Sequence, residues 1–201
     1  MSSTNKMAEI VATYFGLGLS PKAPGTIGSF GTLPIAFVLA YYTGIYGILI
    51  GAIICFVAGV LATDVIIRGQ EEKDPGKVVI DEVVGQLLAF CLVCDYLYQN
   101  IQHLWIYLVG FAAFRFFDIC KMGPVKWFDS KMKNAYGVMM DDVCAGLMAA
   151  FTVYLFVQFF TVLMKLGLLL PILHTFSSQL ICSKLRSIGV NFIFNCTVFS
   201  I

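Results

Sequence analysis

The sequence predicts an all-α protein, a multi-pass integral membrane helical bundle built from a helical hairpin and about three further membrane helices. Three observations predict it. Hydrophobic residues make up 59% of the 201 and charged residues only 12%, too apolar for a soluble domain of this length. Several apolar runs approach the roughly 20 residues that a helix needs to cross a bilayer. The charges collect in the segments between those runs. Residues 1–165 read as one membrane domain. Residues 166–201 lack acids, are broken by Pro171, and read as a hydrophobic tail of unknown role.

Taken in order, residues 1–15 predict a short amphipathic helix lying on the membrane or on the fold. Lys6 alone gives this stretch too little charge for a signal peptide. Residues 16–31, GLGLSPKAPGTIGSFG, form a loop rich in glycine, proline and hydroxyls that opens the first membrane segment. Residues 32–62 are one apolar run, about 45 Å long as a single helix, against a hydrocarbon core of about 30 Å. Gly44 lies among Tyr41, Tyr42 and Tyr46, residues that favour the interface, so a hairpin turning near Thr43-Gly44 is expected. One tilted helix is the alternative. The second arm of the hairpin carries Gly47-x-x-x-Gly51, a close-packing pattern.

A polar loop with Asp64, Arg68, Glu71, Glu72, Lys73, Asp74 and Lys77 follows. Residues 78–98 then cross with Asp81-Glu82 near their start, Asn100–His103 turn, and 104–117 return to end near Arg115 and Asp118. A basic loop over 119–140 holds Lys121, Lys126, Lys131 and Lys133, and 143–164 cross again after Asp141-Asp142. With the hairpin in place, the opening loop and both charged loops share one face. The excess of Lys and Arg there makes that face cytoplasmic.

A net charge of +1 leaves no electrostatic footprint for nucleic acid. The seven cysteines are scattered, most of them in apolar runs, and Cys91 and Cys94 read as packing rather than as a redox pair.

Asp81, Glu82, Asp118, Asp141 and Asp142 all fall at predicted helix ends on the charged face. Ionisable groups at membrane depth are costly and mark function. Converging carboxylates repel unless a cation compensates, and Mg²⁺ suits carboxylate oxygens, water and phosphate together. Acids at helix starts also simply favour the macrodipole, so any one pair alone reads equally as capping. A glycine-rich stretch opening a helix offers backbone N–H groups to phosphate, with Lys22 as a point charge and Thr26 and Ser29 as hydroxyls. It lacks the GK[ST] ending of a P-loop. His103 falls on the far face and His174 in the tail, which leaves direct attack by activated water as the default and a carboxylate nucleophile as the alternative.

Four blocks in order, GLGLSPKAPGTIGS, VVIDEVVG, FRFFDICKMGP followed by KWFD, and GVMMDDVCAG, resemble those of the bacterial phosphatidylglycerophosphatase A family over about residues 14–160. The resemblance implies a Mg²⁺-dependent hydrolase of the bacterial inner membrane, its active site facing the cytoplasm. Its substrate would be a membrane phospholipid, phosphatidylglycerophosphate, converted to phosphatidylglycerol. The shared positions fall on Gly25, Thr26, Gly28 and Ser29, on Asp81, Glu82 and Gly85, on Arg115, Asp118 and Lys121, and on Asp141, Asp142 and Gly146. Asp81, Glu82, Asp141 and Asp142 are expected to hold metal. Asp118, Asp141 and Asp142 are the expected catalytic acids, with Asp118 either ligand or base. Lys22, Gly25, Thr26, Ser29, Arg115 and Lys121 are expected to receive the phosphate. The family's Lys-Pro-x-Pro reads Lys121-Met122-Gly123-Pro124 here, which loosens that loop. A phosphatase for another lipid phosphate and a small ion-binding transporter are the competing readings; transporters place such acids at mid-membrane rather than at helix ends.

Overall fold

The computed structural model describes residues 3–68, 76–99, 104–132, 134–165 and 167. The expectations for Glu71–Asp74, for the Asn100–His103 turn, for Lys133 and for nearly all of the 166–201 tail lie outside these residues. The chain divides into two compact units, Met1–Val157 and Gln158–Ile201; of the second, the end of the last helix and Gly167 are described.

Every described regular element is helical. Helix α1 (Ser3–Ala12) ends where Tyr14 and Phe15 take positive φ, 46° and 57°. It is tied to the later chain by Val79 N–H donating to Ala12 O at 2.9 Å and by a Lys77–Glu9 ion pair at 3.5 Å. A 3-10 turn over Leu17–Leu19 leads to α2 (Pro24–Ile67). Pro24 occupies the first helical position, where its missing N–H costs nothing. Gly25, Thr26, Gly28, Ser29 and Gly31 therefore belong to the first turns of a helix rather than to a loop. Those glycines let the helix seat closely: a Cβ on Gly28 would stand 3.1 Å from Val79 Cβ.

The hairpin is present. Gly44, at φ 61° and ψ −147°, breaks α2 into arms over 24–43 and 45–67, a conformation open essentially to glycine. Residues 39 and 51 would lie about 18 Å apart in a straight helix. Instead a Cβ on Gly51 would sit 3.0 Å from Leu39 Cδ1, so the second arm returns along the first.

The predicted single crossing over 78–98 is two short helices, α3 (Ile80–Leu88) and α4 (Cys94–Gln99). Between them, i→i+3 bonds from Phe90, Cys91 and Val93 tighten the chain into turns. No glycine or proline announces this break. Ala89, Phe90 and Val93 are fully buried, and packing overrides local propensity. Helix α5 (Leu104–Cys120) follows. The predicted basic loop contains another helix, α6 (Pro124–Lys131), again opened by proline after Gly123 at φ 55°. Helix α7 (Ala135–Lys165) starts earlier than expected, because the Asn134 carboxamide caps it by accepting from Gly137 N–H at 2.8 Å. Asp141-Asp142 consequently lie in the second turn of α7, not at its end, and the capping explanation for this pair is removed.

Among the described residues two helices are long and apolar enough to cross a membrane, Pro24–Ile67 and Ala135–Met164. Helices α3 and α7 meet at a contact without side chains: a Cβ on Gly146 would stand 2.9 Å from Gly85 Cα. One on Gly85 would stand 2.7 Å from Asp142 O and would also enter the Phe114 ring. Gly146→Val is expected to lower stability by about 1–3 kcal/mol through overpacking. Thermal unfolding in detergent checks this, and an unchanged midpoint would contradict the close crossing.

Candidate active site

The site is assembled from four elements. Helix α3 supplies Asp81 and Glu82 in its first turn, and α7 supplies Asp141 and Asp142 in its second. Arg115 and Asp118 come from the last turns of α5, and Gly25 and Ser29 from the start of α2.

Asp81, Glu82 and Asp142 each offer a carboxylate oxygen within 4.8 Å of the other two. Asp81 is 7% exposed and Asp142 3%, so water does little to separate their charges. Asp118 and Asp141 stand beside Asp142 and add to the negative field. The backbone offers partial relief: Glu82 N–H donates to the Asp81 carboxylate and Asp142 N–H to the Asp141 carboxylate, each at 3.0 Å. Glu82 Oε2 is buried with no hydrogen-bond partner. A buried carboxylate oxygen without a donor is expensive, and a hard cation accepting such oxygens removes that cost. By donor type, spacing and unmet valence, the three carboxylates fit a Mg²⁺ ion.

Two cations stand around this centre. Arg115 Nη1 lies 2.8 Å from Asp118 Oδ2 and 3.9 Å from Glu82 Oε1, with its side chain only 16% exposed. It also reaches Ser29 Oγ at 3.4 Å, while the Ser29 hydroxyl donates to Gly25 O at 2.8 Å. Ser29 thus links the start of α2 to the arginine. Arg115 Nε is buried and unpartnered, a donor still available to an anion. Lys121, at φ 43° just past α5, places Nζ 3.5 Å from Asp141 Oδ2.

Gly25 faces the centre directly: a Cβ there would run into Glu82 Oε1 and stand 3.3 Å from Arg115 Nη1. The opening turn of α2, with N–H groups lacking intrahelical partners, therefore abuts the acids. Thr26 is half-buried in that turn. Lys22 is exposed in the preceding loop and has no ion pair among the described residues. The structure thus brings Asp81, Glu82, Asp142, Asp118, Arg115, Ser29 and Gly25 together and places Asp141 against Lys121. No described contact carries Lys22 or Thr26 onto the acids. Gln86 was not anticipated: one turn below Glu82 on α3, it is fully buried with neither amide atom bonded. A glutamine inside an apolar run was the available signal.

Comparison with known proteins gives the class to which these apolar helices and this carboxylate–arginine centre belong, that of the lipid phosphatases, and then the particular family. Residues 10–157 match the family described as Phosphatidylglycerophosphatase A. A phosphatidylglycerophosphatase A of Haemophilus influenzae is 35% identical over 145 residues, covering 72% of this chain and 85% of the relative. That of Escherichia coli is 30% identical over 146 residues, covering 72% and 80%. A Bacteroides thetaiotaomicron protein described as a candidate phosphatidylinositol-3-phosphatase is 35% identical over 143 residues, covering 69% and 86%. No solved structure matches. The chain belongs to the phosphatidylglycerophosphatase A family.

The Arg115–Asp118 pair is expected to be strongly coupled, because removing one partner strands a buried charge. A double-mutant cycle with Arg115→Met and Asp118→Asn should give about 1–3 kcal/mol of coupling in detergent unfolding. Additive effects would show that the pair is not formed.

Proposed function

We propose that this chain is a Mg²⁺-dependent membrane phosphatase that removes the terminal phosphate of phosphatidylglycerophosphate. The observation that carries the proposal is the trio Asp81, Glu82 and Asp142, its oxygens within 4.8 Å of one another and Arg115 beside it. Asp81, Glu82 and Asp142 hold the ion, which when bound neutralises the carboxylates, polarises the phosphoryl group and acidifies water.

The chain's own groups do the rest. Arg115, with Nε unpartnered, receives a phosphoryl oxygen, and the opening N–H groups of α2 at Gly25 and Thr26 receive another. Ser29 holds the guanidinium in place. Lys121 and Lys22 draw the terminal phosphate of the headgroup toward the acids. Asp118, next to Asp142, takes the proton of the attacking water. A bond forms from the water oxygen to phosphorus, the bond from phosphorus to the glycerol oxygen breaks, and that oxygen leaves with a proton from water.

The proposal includes the membrane arrangement. Both arms of α2, the broken α3–α4 segment, α5 and α7 cross the bilayer of a bacterial inner membrane. The acidic centre then lies toward the cytoplasmic face, where phospholipid headgroups meet water. Family membership argues against the transporter reading. The Bacteroides relative's description favours one second reading, a different lipid phosphate as substrate.

Purified protein is expected to release phosphate from phosphatidylglycerophosphate, to lose that activity in EDTA and to regain it with Mg²⁺. Asp142→Asn and Asp81→Asn should each lower kcat by about 10³-fold or more, the scale of losing charge stabilisation at the reacting centre. Full activity in EDTA would overturn the metal assignment. Faster release from phosphatidylinositol 3-phosphate than from phosphatidylglycerophosphate would replace the substrate.

A further inference from the structure

An apolar groove of about 270 Å³ lies between the second arm of α2, α3 and α7. It plays no part in the chemistry above. Ala52, Ile53 and Phe56 line it from α2, Val84 and Leu88 from α3, and Tyr136 and Met140 from α7. Its orientation is set by its two ends. At one end the rings of Phe56 and Tyr136 meet edge to face, their centroids 5.7 Å apart, in the first turn of α7. At the other end it reaches Leu49, only five residues from the Gly44 turn. From Phe56 to Leu49 is about 10 Å along the arm.

The groove is lined by the same two helices, α3 and α7, that carry the acids. Asp81, Val84 and Leu88 follow one another at i, i+3 and i+7, on one face of α3. Met140 directly precedes Asp141 in the chain, at the same level of α7. A second protein helix fits the groove less well than a hydrocarbon chain, because close helix packing in a membrane uses small residues, and Ala52 is the only one in the lining.

We infer that this groove is the acyl-chain subsite, which binds part of one fatty-acyl chain of the phospholipid substrate and so makes the enzyme select diacyl lipids over free phosphate esters. The inference rests on the lipid-phosphatase reading and adds where the chain lies. Its test compares Ile53→Trp and Val84→Phe, which fill the groove, with Ile54→Trp, on the equally exposed neighbour outside it. Substrates are dipalmitoyl and dihexanoyl phosphatidylglycerophosphate in mixed micelles. Filling the groove should lower kcat/KM for the dipalmitoyl lipid about tenfold, the equivalent of losing roughly two buried methylenes. The dihexanoyl lipid should change less than about twofold on the same scale, and Ile54→Trp should leave both unchanged. Equal losses on both substrates, or the same loss in Ile54→Trp, would overturn the subsite while leaving the phosphatase reading intact. A wild-type protein inactive on both lipids would overturn that reading and this inference together. A second measurement does not depend on turnover or on the variants. A phosphatidic acid carrying a photoactivatable acyl chain should cross-link the unmodified protein at 49–56 and 136–143. Cross-links spread over the Ile54 and Leu61 faces, or groove residues joined instead to a second copy of the chain, would overturn the proposal.

Discussion

The site depends on one contact, the crossing of α3 and α7 where Gly85 meets Gly146. Neither residue has a Cβ, so the two backbones approach until a single added carbon on Gly146 would lie 2.9 Å from Gly85 Cα. Glu82 lies three residues before Gly85, and Asp142 four residues before Gly146. The distance between those carboxylates is therefore set by the backbone separation of the two helices. With ordinary side chains at the crossing, helix axes stand about 8–10 Å apart, and the two glycines let these helices come closer. The glycines trade van der Waals surface for reach.

That closeness creates a charge problem, which the neighbouring elements meet from two sides. Arg115 spans Glu82 and Asp118 from α5, and Lys121 meets Asp141 from the segment just beyond it. The start of α2 closes the third side, because the hairpin at Gly44 lets its second arm return and connect to α3 while its first turn remains beside Glu82. Two cationic side chains and one helix N-terminus set against five carboxylates leave an excess of negative charge. In the proposed function a divalent cation compensates this charge, and Glu82 Oε2 is a buried carboxylate oxygen without a hydrogen-bond partner.

Much of this was legible in the sequence. The hairpin followed from the excess length of 32–62 and from Gly44 among tyrosines. The convergence of the acids followed from counting sides. What the sequence hid has physical reasons. The break over 89–93 consists of residues with no turn preference, held in 3-10 turns by burial alone. The start of α7 depended on a cap by Asn134, a residue read as part of a loop. The opening glycines looked like a flexible phosphate cradle. In the fold they are helical, and their absent side chains serve close approach, Gly25 to Glu82 and Arg115 and Gly28 to Val79. Ser29, expected to meet phosphate, is engaged with Gly25 and Arg115, a pairing 86 positions apart that local pattern does not encode.

The central claim is that Asp81, Glu82 and Asp142 form one cation site. Mn²⁺, which takes the same oxygen ligands as Mg²⁺ and is paramagnetic, tests it without reference to turnover. Titration of the purified protein followed by electron paramagnetic resonance should show saturable binding that Mg²⁺ displaces. Binding should be lost in both Glu82→Gln and Asp142→Asn and kept in Asp64→Asn, an acid on the surface of α2. Saturable binding that survives both site substitutions, or no displaceable binding in the unmodified protein, would contradict the account.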